Sequence, residues 1–470
     1  MIRIDVLPDD VLLEIFDFYM NMHPSDEWKT EIEAWQSLVH VCRRWRSLVF
    51  QSPRRLNLRL FCTPDTPARD TLDVWPPLPL LIVGMSSLTP CVDNVIAALE
   101  QSNRVCQVKL YLPNWDMEKV LAAMQVPFPE LTNLQLMSLE ETPPVIPDSF
   151  LVGSAPRLRS FSLSGIPFPG LPKLLLSANH LVHLYLYRIP HSAYISPEEM
   201  VALISVLSGL STLYLEFQSP LSQPDSESRS LPPPKRSIFP ALDKFHFNGV
   251  TEYLEDLVTH IDTPQLDEMD ITFFSEIDFD CPRLAQFINR TPTLWPRDEA
   301  HLQLDDCYAS VTLPSRHRTL RIGILHGEPF WQIWSVGRIC ISSLPPLSTI
   351  EDLYIERRLG YINLAWKNIN AYASDVIENA PWLQLLLPFT AVKNLYLSKE
   401  FAPVIAVALQ ELIGNGITAV LPSLQNIFVE GLEPLGPVEE NIRQFVAARQ
   451  FSDHPIAISD WDILSGIWWR

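Results

Sequence analysis

Apolar positions near the start of the chain recur at helical spacing in two short segments. In the first segment they share one helical face: Val11, Leu12, Ile15, Phe16 and Tyr19. In the second segment they again recur every three or four positions: Trp35, Leu38, Val41, Cys42, Trp45, Leu48 and Val49. Pro8 stands at the start of the first helix, where its missing N–H costs nothing. Pro53 ends the second, because the residue before a proline is pushed out of the helical region.

A helical unit as small as residues 1–52 is marginal in isolation, because so short a chain buries too little apolar surface. Its apolar surface must therefore pack on the rest of the chain or on a partner. The pattern alone fits two arrangements: a helical cap over the next domain, and a face that binds another protein.

Beyond residue 100 a different pattern returns, in which an apolar residue is followed three and five positions later by two more. The sets are Val105/Val108/Leu110, Leu131/Leu134/Leu136, Leu158/Phe161/Leu163, Leu181/Leu184/Leu186, Leu210/Leu213/Leu215, Leu242/Phe245/Phe247, Leu266/Met269/Ile271, Ile350/Leu353/Ile355, Val392/Leu395/Leu397 and Leu424/Ile427/Val429. The last two residues of each set alternate like a short strand with one buried face. We therefore expect every residue of these sets to lie in the core and none to form a site.

Amphipathic helices are predicted between these strands. Ser196-Pro197-Glu198-Glu199 is a capping box with proline at the first helical position. Further helices are predicted over 114–124, 253–261, 282–288, 403–413 and 438–450. Strands alternating with helices at this spacing predict parallel strands joined by right-handed crossovers, with neighbouring units stacked to bury their apolar faces.

The repeating units also resemble a known repeat family. From Val105 to Leu266 they begin 26, 27, 23, 29, 32 and 24 residues apart, and leucine-rich repeats have a similar length and a Leu-x-x-Leu-x-Leu core. The asparagine or cysteine that closes the usual repeat is mostly missing, so the body is similar to a degenerate leucine-rich repeat. The predicted fold class is α/β, with N-terminal helices followed by a curved solenoid of parallel strands and outer helices.

The predicted organisation has four parts: helices at 1–52, a junction with the first strands (56–60 and 78–83) at 53–100, repeats at 101–450, and a C-terminal cap at 451–470 with a last strand at 454–458. Residues 219–237 are rich in serine and proline and are predicted to be a disordered loop, either phosphorylated or simply flexible. Residues 295–343 depart from the repeat. Their apolar run at 330–334 predicts a packed helix or, alternatively, an exposed aromatic patch that binds a ligand or partner.

Charge and cysteine usage narrow the class of partner and compartment. The net charge of −20 disfavours nucleic acid as a partner, and is compatible with basic protein partners or with solubility alone. The seven cysteines are scattered and odd in number, which favours buried thiols in a reducing compartment over disulfides or a zinc site. We find no signal peptide and no apolar run long enough to cross a membrane. A soluble protein of the cytoplasm or nucleus is therefore expected, without a membrane partner.

Motifs for catalysis are absent from the sequence. There is no phosphate-binding glycine loop, no dinucleotide fingerprint and no nucleophile elbow. His180 and His183 are the nearest approach to a metal pair, and we interpret them as surface residues because no third ligand is evident. The prediction is a non-enzyme with no metal and no cofactor; a site assembled from distant repeats stays open as an alternative.

The N-terminal segment resembles an F-box. The family pattern of Leu-Pro, an acidic residue, Ile-Phe, a gap, Val-Cys-Arg-x-Trp and a final leucine is matched by Leu7-Pro8, Asp9, Ile15-Phe16, Val41-Cys42-Arg43-Arg44-Trp45 and Leu48. Asp10 stands where the family more often has glutamate, and the gap at 17–34 is longer than usual. The divergent repeats and the 454–461 ending are similar to those of many F-box proteins of mushroom-forming fungi.

The resemblance implies a substrate-recruiting adaptor of a Skp–cullin–F-box ubiquitin ligase, in which this domain docks on the Skp adaptor and the repeats bind a target protein. The residues implied in docking are Leu7, Pro8, Val11, Leu12, Ile15, Phe16, Val41, Cys42, Trp45 and Leu48. Some of them must instead hold the helices together, and the sequence does not divide the two groups. Candidate target contacts are outward strand positions: Gln135, Ser162, Tyr185, Tyr187, Tyr214, Glu216, His246 and Asn248. A repeat scaffold without a ligase role is the alternative.

Overall fold

The structure is a computed structural model that describes residues 7–21, 30–65, 67–85, 92–138, 140, 142–219, 236–274, 281–295, 298–305, 308–315, 318–325, 329–342, 344, 347–357, 381–413, 418–432, 436–450 and 455–461. The chain forms two compact units, Met1–Leu184 and Tyr185–Arg470.

The first unit begins with three helices and continues with alternating strands and helices. Its elements are α1 (Asp9–Asn21), α2 (Thr30–Val41), α3 (Arg43–Gln51), β1 (Leu60–Cys62), α4 (Ala68–Val74), β2 (Leu80–Met85), α5 (Val92–Leu99), β3 (Val105–Leu112), α6 (Asn114–Ala123), β4 (Asn133–Ser138), β5 (Ser160–Ser164) and α7 (Leu171–Ser177). Strands β1 to β5 pair in chain order, and every pair is parallel. Helices α4, α5 and α6 pack on one another in the same order.

The second unit continues the alternation, starting within strand β6 (His183–Ile189). Its further elements are α8 (Pro197–Ile204), β7 (Thr212–Phe217), β8 (Ser237–Ile238), β9 (Lys244–Gly249), α9 (Thr251–His260), β10 (Ile261–Asp262), β11 (Glu268–Phe273), α10 (Pro282–Asn289), β12 (Glu299–Leu304), β13 (Tyr308–Ser315), β14 (Arg318–Leu325), α11 (Pro329–Ser342), β15 (Asp352–Arg357), α12 (Trp382–Leu386), β16 (Asn394–Leu397), α13 (Ala402–Gln410), β17 (Asn426–Glu430), α14 (Pro437–Gln450) and β18 (Ala457–Trp461).

The repeating apolar sets form the core, as predicted. Every residue of the ten sets is buried. The register explains why: Phe245 lies beside Leu213 on one side and Met269 on the other, so equivalent residues of successive units stack in rows. In the later repeats Leu353, Leu395 and Ile427 form another such row. The α/β class with N-terminal helices and mostly parallel strands is confirmed.

The region that departs from the repeat contains an antiparallel insertion, which the sequence did not predict. Strand β14 is parallel to β11, β13 is antiparallel to both β14 and β12, and β12 is parallel to β15. Two reversals restore the original direction, so the parallel series continues through the insertion. Helix α11 packs against β13 and β14 and buries Ile333, Val336 and Ile339, which favours the packed helix over the exposed patch.

Predicted helices between the strands agree with the structure to within a few residues. The capping box of α8 is formed: the Ser196 hydroxyl accepts the Glu199 N–H at 3.2 Å, and the Glu199 carboxylate accepts the Ser196 N–H at 3.4 Å. The C-terminal strand is β18, which pairs in parallel with β17. It starts three residues later than the predicted 454–458.

Two local predictions were wrong. Residues 53–57 form turns, closed by the Leu56 N–H to the Ser52 carbonyl and the Leu58 N–H to the Pro53 carbonyl, so the strand predicted over 56–60 begins only at Leu60. Leu56 and Leu58 are nevertheless buried, which is why their alternation resembled a strand. The predicted loop at 219–237 is too long at its end, because Ser237–Ile238 pairs with Ile261–Asp262; residues 220–235 lie outside the described residues.

Candidate functional site

Helix α1 is apolar on two sides. Leu12, Leu13 and Phe16 are buried, and α1 packs on α2 and α3. Val11, Ile15 and Phe18 are exposed. Their i, i+4, i+7 spacing places them on one face, which we call the outer stripe. An amphipathic helix of one domain needs a single apolar face, so the second face is available to a partner.

The inner side of α1 is held by a ring contact. The rings of Phe16 and Trp45 have centroids 4.7 Å apart and are tilted by 60°. Leu38, Val39, Leu48 and Val49 are buried around the same helices. Phe16 and Trp45 therefore join α1 to α3 within the domain.

The second apolar segment is two helices and not one. Cys42 is extended (φ −159°, ψ 168°) and acts as the N-cap of α3, its sulfur accepting the Trp45 N–H at 3.5 Å. The Arg46 guanidinium donates to the Val39 carbonyl at 2.9 Å, which satisfies an acceptor at the end of α2. The break turns Val41 and Cys42 outward, and both are exposed.

The Arg44 side chain fixes the start of the helical domain through hydrogen bonds. One Arg44 Nη donates to the Leu7 carbonyl at 2.6 Å and to Asp9 Oδ1 at 2.5 Å, and Nε also donates to Asp9 at 3.1 Å. The Pro8 carbonyl accepts the Leu12 N–H at 3.1 Å. Pro8 thus stands at the beginning of α1 as predicted, with its ring exposed.

A third group of residues joins the helices to the strands that follow. The Trp35 ring lies edge-on to Trp75, with centroids 5.0 Å apart, and Phe50 contacts the same indole at 6.2 Å. Trp75 immediately follows α4. The helical domain therefore packs on the rest of the first unit and still presents the outer stripe, so the two arrangements left open by the sequence are compatible.

A shallow depression lies at the end of α2. It has a volume of about 550 Å³ and is lined by Gln36, Ser37, His40 and Val41. Val41 is an exposed apolar residue with polar neighbours, which is the composition expected at the edge of a protein-binding surface.

The predicted docking residues separate into three groups. Leu12, Phe16 and Leu48 are buried and serve the core of the domain; Leu7 and Trp45 are half-buried; Pro8, Val11, Ile15, Val41 and Cys42 are exposed. Phe18 was missed, although its position three residues after Ile15 could have revealed it. The exposed group together with Phe18 forms the candidate site.

The comparisons with known proteins agree with this geometry. Residues 4–59 match the F-box-like family, which covers the three helices and the turn after them. No curated protein matches the chain. The chain therefore carries an F-box-like domain, and domains of this family bind Skp-type adaptors and are typically non-catalytic.

Among the residues that the structure describes, no group of three or more histidine, cysteine, aspartate or glutamate residues could hold a metal ion. None of the described helices has the length and apolar character needed to cross a membrane.

Cys62 and Cys340 are buried thiols, as expected. Burial raises the pKa of Cys62 to about 11, although the nearby Arg104 opposes this rise. Cys42 is exposed, contrary to that expectation.

Proposed function

We propose that this protein is a non-catalytic, substrate-recruiting adaptor of a Skp–cullin–F-box ubiquitin ligase in the cytoplasm or nucleus. The F-box-like helices dock on a Skp-type adaptor, and the leucine-rich-repeat-like body, a solenoid in this proposal, binds a target protein. The chain supplies proximity, which converts a bimolecular reaction into an effectively unimolecular one. Catalysis takes place on other subunits of the ligase.

The observation that carries the proposal is the outer stripe within the F-box-like match. Three apolar side chains that no core requires lie on one face of α1, and Phe18 is 67% exposed. Apolar side chains clustered in this way on a helix are typical of helix-mediated docking. Pro8, Val41 and Cys42 add further exposed positions from the family motif.

Binding of the full chain to a purified Skp-type adaptor tests the docking face. Ile15→Asp places a charge in the outer stripe, and we expect at least a tenfold loss of affinity, because a charge cannot be desolvated in an apolar contact. Ile413→Asp is the matched control, since Ile15 and Ile413 are 40% and 41% exposed. The control should bind as the unchanged chain does.

Two results would count against the proposal. Equal affinities of Ile15→Asp and the unchanged chain would remove the outer stripe from the interface. If the intact chain does not bind the adaptor at all, a repeat scaffold without a ligase role becomes the better explanation.

A further inference from the structure

A row of stacked rings crosses four neighbouring strands of the second unit. His301 on β12, Tyr354 on β15, Tyr396 on β16 and Phe428 on β17 are direct register partners. Their successive ring centroids are 4.5, 4.3 and 4.6 Å apart, with interplanar angles of 7°, 8° and 9°. These distances follow the spacing of adjacent strands, so strand register builds the stack. We call these four residues the aromatic ladder.

Trp461 lies across the aromatic ladder. Its indole is centred 5.4 Å from the Tyr396 ring and 6.0 Å from the Tyr354 ring, and is inclined to them by 63° and 55°. It comes from β18, which pairs with β17 through Phe428 and Ser459. All five rings are half-buried, so each still presents part of its surface to solvent.

Carboxylates flank the aromatic ladder on both sides. Two residues before the ladder positions along the strands are Glu299 and Asp352; two residues after them are Glu356 and Glu430. No position on this face of β12 and β15–β18 is lysine or arginine. The face is therefore acidic as well as aromatic.

Hydrogen bonds hold two of these carboxylates in place. Asp352 accepts from the Asn394 amide at 2.7 Å, and Asn426 donates to Asn394 at 2.7 Å. Glu356 accepts from Gln303 at 2.9 Å and contacts His301 at 3.2 Å. Burial raises the pKa of Glu356, but these hydrogen bonds outweigh it and lower the pKa overall, so the group stays ionised.

Earlier strands of the same unit have a different charge arrangement. On β9, β11 and β14, Lys244 pairs with Glu268 at 2.8 Å and Arg321 pairs with Asp270. These carboxylates are neutralised by cations of the chain itself. Among the described strand positions, the face of the aromatic ladder has no lysine or arginine, and a binding partner can supply such cations.

We propose that the aromatic ladder and its flanking carboxylates bind an extended, basic segment of a target protein. Ammonium and guanidinium groups are attracted to carboxylates and to the faces of aromatic rings. Four strand intervals span about 19 Å, which corresponds to about six extended residues. The inference rests on the proposed target-binding role of the repeats, and it does not depend on docking of the adaptor.

Fluorescence anisotropy with labelled hexalysine and hexaarginine peptides, at an ionic strength of about 0.15 M, tests this binding on the full chain. Trp461→Ala and Glu430→Gln should each weaken binding about five- to tenfold. Matched controls are Trp115→Ala, at an exposed tryptophan of α6, and Glu411→Gln, at an exposed glutamate after α13. The controls should change the affinity less than twofold.

A net charge of −20 attracts any polycation, so the controls decide the outcome. If a control variant weakens peptide binding as much as the site variant it is matched to, the attraction comes from the overall charge of the chain and the proposed site is wrong. Absence of peptide binding by the unchanged chain also overturns the proposal. Glu430→Gln keeps nearly the same side-chain shape, so its effect on peptide affinity can be interpreted even if Trp461→Ala destabilises β18. Trp461→Ala and Glu430→Gln should bind the Skp-type adaptor as tightly as the unchanged chain does, and Ile15→Asp should still bind the peptides. These two results separate this proposal from the adaptor role.

Discussion

Phe16 and Trp45 contact each other through rings 4.7 Å apart, and this contact places the fully buried Phe16 in the core of the helical domain. Phe18, two positions later on the same helix, points away from that core and is exposed. One turn of α1 thus contains one buried and one exposed phenylalanine, and under the proposed adaptor role a substitution of each separates stability from binding.

Phe16→Ala should lower the free energy of opening of the helical domain by about 3–5 kcal/mol, because it removes a fully buried aromatic side chain. Phe18→Ala should change it by less than about 0.5 kcal/mol and should instead weaken adaptor binding. Hydrogen exchange of the α1 and α3 amides measures the local stability. Equal effects of the two substitutions on exchange would contradict this division of roles.

Glu255 of α9 caps the next helix. Its two carboxylate oxygens accept the N–H groups of Arg283 and Leu284, at 3.1 and 2.7 Å, in the first turn of α10. Glu255→Ala leaves the buried N–H of Leu284 and the half-buried N–H of Arg283 unpaired, and should lower the free energy of unfolding by about 1–3 kcal/mol. Glu255→Gln retains one acceptor and should lose less. Urea denaturation measures both, with the exposed Glu252→Ala as control; a loss no greater than that of the control would show that the cap contributes nothing.

Asp270 makes the stability of the fold depend on pH, and the direction of its pKa shift predicts the sign of that dependence. Burial raises its pKa, but His246, whose Nδ1 lies 3.6 Å from Asp270 Oδ2, and hydrogen bonds from the forked Arg321 guanidinium outweigh burial and lower it below the usual 3.8. The carboxylate therefore stabilises the fold fully above its ordinary pKa, and this stabilisation is lost as pH falls through the lower pKa of the folded state.

The stability deficit of Asp270→Asn should accordingly be largest near neutral pH and should shrink as the pH is lowered. Thermal unfolding at a series of pH values measures it, with the exposed Asp298→Asn as a charge-matched control. A deficit that is constant with pH would mean that the ion pair with Arg321 is not the cause.

Arg449 is buried in α14, and among the described residues the only hydrogen bond of its side chain is from Nη2 to the Leu421 carbonyl at 2.6 Å. Burial lowers the pKa of this guanidinium. Arg449→Met should raise the free energy of unfolding by about 1–3 kcal/mol, because an apolar side chain replaces a buried charge. Arg443→Met, at an exposed position of the same helix, should give no gain. A loss of stability in Arg449→Met would show that the charge has a partner in the folded protein.

The order of apolar and polar residues along the chain was enough to predict the repeating core and the location of the N-terminal helices. Sets such as Leu242/Phe245/Phe247 have a fixed spacing, and spacing dictates which side chains share one face of a strand. All these residues are buried. The F-box motif is likewise a pattern of residues that lie close together in the sequence, so it can be identified without a structure.

Which apolar residues lie on the surface depends on how the helices and strands pack, and local sequence does not show this. Val11 and Leu12 are adjacent and chemically similar, yet Val11 is exposed and Leu12 is fully buried, because burial depends on where α2 and α3 lie around the helix. The antiparallel insertion of β13 and the cap from Glu255 to α10 also join residues distant in sequence. The aromatic ladder shows the same limit: Tyr354 and Tyr396 are 42 positions apart, and only strand register brings their rings to 4.3 Å.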